Sequence, residues 1–192
     1  ATDAGHDAEH VTRVVHSARR LGELEGTEAD VVLPAAWLHD CVQVPKDSPE
    51  RARASLLAAD AAVDWLQTQG YPAEHLDDIH HAIHAHSFSA RVPCRSTAAR
   101  VVQDADRLDA IGAIGIARAL LCGAGMGRPL YDPDDPFCDR RPPDDRIATL
   151  DHFHTKLLHL AGSMQTAAGR AEAEGRSRFM RDWLEQLRRE LP

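Results

Sequence analysis

The chain has 192 residues, 43% of them hydrophobic, with a formal net charge of -8 and twelve histidines. Such a length and apolar content suffice for one domain with a real core. A general nucleic-acid binder is expected to show a basic stripe, and the sequence has none; the acidic balance argues only for solubility. No apolar run is long enough to cross a bilayer and no signal peptide opens the chain, so no membrane partner is expected. Cys41, Cys94, Cys122 and Cys138 show neither C-x-x-C spacing nor disulfide density, which predicts reduced thiols and a cytoplasmic protein.

Alternating β-branched runs are absent, while Ala, Leu, Arg and Glu dominate. The expectation is an all-α, single-domain helical bundle over residues 1–192. A first helix is predicted from Asp7 to Leu24, with Val11, Val14, Ala18 and Leu21 as its apolar stripe and Gly26 as its stop. A second runs from Ala29 to Asp40, with Pro34 in its first turns. After a loop from Val44 to Pro49, Ser48 caps a third helix that reaches Gln69 and closes at Gly70. The fourth begins at Pro72 or Ala73 and ends near Ser87. Ser89 to Thr97 is a loop, and a long fifth helix is predicted from Thr97 to Leu121. Gly123 to Asp145 is rich in Gly, Pro and Asp, the composition of a lid, a binding loop or disorder. Its Tyr131, Phe137, Arg140 and Arg141 make it a candidate lid over a bound ligand. Helices from Ile147 to Ser163 and from Ala167 to Arg189 complete the chain.

The chemistry gathers on three of these helices. His10 lies at the border of the first helix's buried face. His39 and Asp40 arrive side by side at the end of an apolar helix, where an unpartnered polar pair would be costly. The fifth helix carries Asp104, Asp106 and Asp109. One histidine, the His39-Asp40 pair and one of these aspartates make a two-nitrogen, two-oxygen set. Such a set suits manganese, iron, cobalt or nickel and leaves room for water, whereas zinc is less favoured by two carboxylates. A satisfied core histidine is the competing explanation for each imidazole. Asp104 and Asp106 point about 200° apart on a helix and cannot share one site. Asp106 flanks the apolar face, so it is the expected ligand. Asp104 is expected to be a solvent carboxylate or to support the site, and Asp109 to orient a ligating histidine.

The fourth helix carries His80, His81, His84 and His86. The same rotation places His86 nearest the buried face set by Leu76, Ile79 and Ile83, and His81 almost opposite, on the surface. His86 is therefore the candidate for a catalytic residue near the metal's water or the leaving group. Arg107, Lys46, Arg51 and Lys156 are the basic residues that could surround an anionic ligand at such a site, Arg107 counted with the catalytic residues and the others with substrate binding.

Five segments carry a family resemblance: Gly5 to Val14, Ala36 to Asp40, Ala85 to Ser89, Gln103 to Arg118 and Asp151 to Leu157. His10, His39-Asp40 and Asp106 among them resemble the H…HD…D signature of the HD superfamily of metal-dependent phosphohydrolases, and the set is similar to its small stand-alone bacterial YpgQ/YedJ-like members. The resemblance implies His10, His39, Asp40 and Asp106 as metal ligands, and again selects the second aspartate of the Asp104-Ala105-Asp106 run. It implies one divalent ion, Mn2+ favoured, with Fe2+, Co2+, Ni2+, Mg2+ or Zn2+ also admitted. The histidine that dinuclear relatives carry soon after the HD pair is absent between Cys41 and Gln69, which argues for one metal. The implied activity is phosphohydrolysis of a small-molecule nucleotide, with nucleoside triphosphate going to monophosphate and pyrophosphate. Monophosphatase activity and a non-catalytic metal- or nucleotide-binding regulatory domain are the alternatives. A homodimer is left open.

Overall fold

The computed structural model describes residues 8–44, 48–87 and 90–191. Among them are eight α-helices, two 3-10 segments and no strand, so the all-α expectation holds. Lys46 lies outside the described residues. The helices are α1 (Ala8–Glu25), α2 (Ala29–Leu38), α3 (Ala54–Thr68), α4 (Ala73–His86), α5 (Thr97–Asp109), α6 (Gly112–Gly125), α7 (Asp151–Thr155) and α8 (Ala167–Glu190). No single one is long and apolar enough to cross a membrane. None of the four cysteines is in a disulfide.

The described chain falls into two compact units. The first holds Ala8–Asp106 and Gln165–Gly169. The second holds Arg107–Met164 and the residues from Arg170 onward.

In the first unit, α1 stops where its backbone can turn left-handed. Gly26 sits at φ +67°, and the Thr27 N–H donates to the Gly22 carbonyl at 2.9 Å, closing a Schellman-type end. Pro34 stands inside α2 and has no N–H for the Asp30 carbonyl. The Tyr71 hydroxyl supplies the missing donor at 2.7 Å, so the helix continues to its polar end. The core is built from Val14, Ala18 and Leu21 of α1, Val32, Ala35 and Ala36 of α2, Ala58, Ala59 and Ala62 of α3, Ile79 and Ile83 of α4, and Val101, Val102 and Ala105 of α5. Each of the large ones contributes about 1.5–3 kcal/mol by leaving water. In this core α2 packs chiefly against α1 and α4, and α3 against α4.

Three boundaries depart from the sequence expectation. The first turn of the third helix is a 3-10 segment, Pro49–Arg53. The segment predicted as Ile147 to Ser163 is the short α7 followed by a 3-10 segment, Leu157–Ser163. The long fifth helix is two, α5 and α6. It breaks because Asp109 and its carbonyl are taken by the Arg118 guanidinium, at 2.6 and 3.1 Å, and Gly112 sits at φ +77°. A Cβ at Gly115 would stand 2.3 Å from the Ala110 carbonyl oxygen, so only glycine permits this corner.

In the second unit, the segment between α6 and α7 is tied down along its length. Leu150 N–H donates to the Leu130 carbonyl at 2.9 Å. Buried Asp135 accepts from the backbone N–H groups of Asp139, Arg140 and Arg141. Phe137 is buried with the Arg188 guanidinium 4.1 Å over its ring. Arg141 pairs with fully buried Asp151 at 2.5 and 2.9 Å. Phe137 and Arg141, named above as lid groups, are thus committed to this unit's interior. Tyr131 is half-buried and Arg140 exposed.

Arg141 is expected to matter for stability. Its removal leaves the buried Asp151 charge with only neutral partners, the Asp144 N–H 2.7 Å away and the Cys138 thiol. Breaking such a pair from one side costs about 3–5 kcal/mol, so Arg141→Ala should lower the urea midpoint at pH 7 markedly. Burial alone would raise the Asp151 carboxyl, but its hydrogen bonds to Arg141 and the Asp144 N–H outweigh this and hold it below the usual carboxylate range. A depressed folded value gives stability that is complete above the unfolded value of about 3.9 and is lost as pH falls through the folded one. The gap between wild type and Arg141→Ala should therefore close as the titration moves into acid. A pH-independent gap would mean that the pair contributes only packing.

Candidate metal centre

The end of α2 explains why a histidine belongs there. The last carbonyls of a helix have no partner within it. His39, just past the last residue of α2, turns its Nδ1–H onto the Ala36 carbonyl at 2.8 Å. His86, the last residue of α4, does the same to the Ile83 carbonyl at 2.6 Å. Each carbonyl accepts, so each Nδ1 carries the proton and each Nε2 presents a lone pair. The second-helix histidine is wholly buried, and so nearly is His86.

Four donor groups of the first unit converge. His39 Nε2 lies 3.3 Å from His10 Nε2. Asp40 Oδ2 is 3.5 Å from His39 Nε2 and 3.8 Å from His10 Nε2. Asp106 Oδ1 is 3.5 Å from His10 Nε2 and 3.9 Å from His39 Nε2. His86 Nε2 faces the other oxygen of the same aspartate, Asp40 Oδ1, at 3.7 Å. His10, His39 and Asp106 form one group able to hold an ion, and His39, Asp40 and His86 an overlapping one. The histidines are buried and the two carboxylates half-buried, so the oxygens line the open side.

The donor set fits a divalent cation. Donors at about 2.1 Å from an ion, 90° to tetrahedral apart, stand about 3.0–3.4 Å from one another. The observed separations are at or slightly beyond that range. A lone pair on His39 Nε2 directed at a second imidazole nitrogen needs a proton or a cation between them. Burial, and next the neighbouring His86, hold His39 below the ordinary imidazole value, which favours its neutral, ligating form. Burial would raise Asp106, but its hydrogen bond to His10 and the nearby His86 and His39 bring it far below the carboxylate range. It is ionised at neutral pH, as a ligand must be.

The other aspartates of α5 do different work. Asp104 is fully buried, not a solvent carboxylate. It accepts from the Gln165 N–H at 2.8 Å, the Thr166 N–H at 2.8 Å and the Thr166 hydroxyl at 2.7 Å. Thr166 in turn accepts from the Gly169 N–H at 2.9 Å, capping the start of α8. Asp109 pairs with Arg118 at 2.6 Å. His81, expected on the surface, is buried. The segment after α4 folds over that side, and the Arg95 N–H donates to His81 Nε2 at 3.0 Å. Helical rotation alone cannot show that a loop covers a second face.

The basic candidates are spread out in the chain and partly engaged. Arg107 Nη1 donates to the Ser163 carbonyl at 2.6 Å within the second unit. Arg51 is exposed and donates to the Val44 carbonyl at 2.9 Å. Lys156 is exposed, at the end of α7.

Comparison with known proteins agrees with this arrangement. The HD domain model matches residues 7–111, more than half of the chain. The chain is 36% identical to the uncharacterized protein YpgQ of Bacillus subtilis, over 98% of this chain and 86% of that one. A crystal structure of Bacillus subtilis YpgQ in complex with ADP has a TM-score of 0.78, covering 99% of this chain and 92% of that one at 36% identity. An HD-superfamily hydrolase from Bacillus thuringiensis has a TM-score of 0.74 at 37% identity, covering 96% and 86%. These likenesses support a metal-dependent hydrolase in general terms, and the chain belongs to the HD domain family.

Proposed function

We propose that the protein is a divalent-metal-dependent phosphohydrolase acting on nucleotides, converting a nucleoside triphosphate to the monophosphate and pyrophosphate. The observation that carries the reading is the convergence of His10 Nε2, His39 Nε2, Asp40 Oδ2 and Asp106 Oδ1 within 3.3–3.9 Å along each nitrogen–nitrogen and nitrogen–oxygen pair. The nucleotide class draws on the ADP complex of a relative 36% identical to this chain.

His10, His39, Asp40 and Asp106 would hold one ion, for which we favour Mn2+. When bound, such an ion lowers the pKa of a water and neutralises phosphoryl oxygens. The chain's own groups supply the rest. The Ala36 carbonyl fixes the tautomer of His39, so its Nε2 is always the ligating atom. His86, its Nδ1–H held by the Ile83 carbonyl, keeps Nε2 as a proton acceptor beside Asp40. It takes the proton of the attacking water. Arg51, Lys156, Lys46 and Arg107 are the proposed polyphosphate contacts.

The test is a screen of nucleoside tri-, di- and monophosphates with Mn2+, reading phosphate and pyrophosphate separately. Pyrophosphate from triphosphates is the expected product. Orthophosphate from monophosphates would make the protein a phosphatase. Nucleotide binding without turnover, with the metal present, would leave a binding domain. His86→Gln should keep the metal and lose about 10²–10⁴-fold in kcat. Loss of metal in that variant would instead make His86 a ligand.

A further inference from the structure

A second cluster of donors lies on the hairpin of α3 and α4, separate from the four residues above. His80 and His84 are one turn apart on α4, the spacing that puts two side chains on one face. Their rings stand 6.3 Å apart, centroid to centroid, in an edge-on arrangement. Asp60 reaches from α3 to place its Oδ1 2.8 Å from His80 Nε2. His80 is a third exposed and Asp60 a little over half exposed, so an ion could arrive without a buried charge being created. Neither helix is there by accident of this contact. α3 and α4 are held by their own apolar faces, Ala59, Ala62 and Leu66 against Leu76, Ile79 and Ala82 being buried. The donors therefore sit on a rigid base.

We propose that Asp60, His80 and His84 form a peripheral site for a borderline divalent cation such as Zn2+ or Ni2+. Two imidazoles and one carboxylate are donors that suit zinc and nickel. The hydrogen that now bridges His80 and Asp60 occupies the place of the ion. Two donors at about 2.05 Å from a tetrahedral ion stand about 3.3 Å apart, so opening the present 2.8 Å contact requires a side-chain movement of roughly half an ångström. His84 joins by rotating its side chain, and its flank is open enough, being only half-buried. Water completes the shell. The bound ion ties α3 to α4 across their connection and so raises the stability of the first unit.

The proposal does not depend on the activity assigned to the other cluster, and its test separates the two. Zn2+ is titrated calorimetrically into the full-length protein preloaded with Mn2+, and into His39→Ala, which removes the donor common to both overlapping groups of the first cluster. Each should take up one Zn2+ per chain at the peripheral site, in the wild type over and above the Zn2+ that exchanges for Mn2+ at the first centre, and the melting temperature of His39→Ala should rise with Zn2+. His84→Ala and His80→Ala should each weaken that uptake at least tenfold and abolish the thermal shift, with helical circular dichroism unchanged. Asp60→Asn should give an intermediate loss. Absence of the uptake in His39→Ala, or its persistence at full strength when His80→Ala or His84→Ala is added to that variant, would overturn the site.

Discussion

Asp40→Asn is expected to remove the bound divalent ion and, with it, hydrolysis, lowering kcat/KM by on the order of 10³-fold or more while the helical fold persists. The expectation follows from position. Asp40 reaches three imidazoles, its Oδ2 toward His39 and His10 and its Oδ1 toward His86. It lies just beyond α2 and is half-buried, so its loss opens no core cavity. The asparagine keeps the shape but offers a neutral oxygen or a nitrogen where a charged ligand is needed. Elemental analysis together with turnover checks it. Full metal occupancy with lost turnover would move Asp40 from ligand to acid–base chemistry.

The second large effect separates two aspartates two residues apart. Asp106→Asn should lose metal and activity and stay folded. Asp104→Ala should do the reverse, retaining the ligand set but losing about 2–4 kcal/mol of stability. Its carboxylate takes hydrogen bonds from two backbone N–H groups and a hydroxyl, and removing a buried partner of this kind leaves donors unpaired. Gly169 packs against the same carboxylate, where an added Cβ would lie 2.4 Å from Asp104 Oδ2. Chemical unfolding and metal content on both variants decide the matter. Equal stability of the two variants would contradict the anchoring role.

The contrast shows what could be read from residues alone. Rotation along α5 was enough to separate Asp104 from Asp106, because 100° per residue is a property of every helix. What Asp104 does depended on Gln165 and Thr166, some sixty residues away, and no local pattern reveals a partner at that distance. The helix elements followed from apolar spacing and from Gly26 and Gly70, both of which sit at positive φ. The break between α5 and α6 escaped because Ala110 and Ile111 are good helix residues. The corner is imposed by Arg118 reaching back to Asp109, a contact between side chains. His81 was misplaced for a related reason, its cover coming from Arg95 in a loop. The tautomer locks on His39 and His86 were legible in principle. Each is a histidine at a helix end, three residues beyond a carbonyl left without a helical partner.

The most direct measurement is anomalous diffraction from crystals grown with Mn2+. The account predicts one peak per chain in the first unit at this centre, about 2.0–2.4 Å from His10 Nε2, His39 Nε2, Asp40 and Asp106. A peak that leaves out Asp106, or no peak among these four residues at saturating Mn2+, would contradict it.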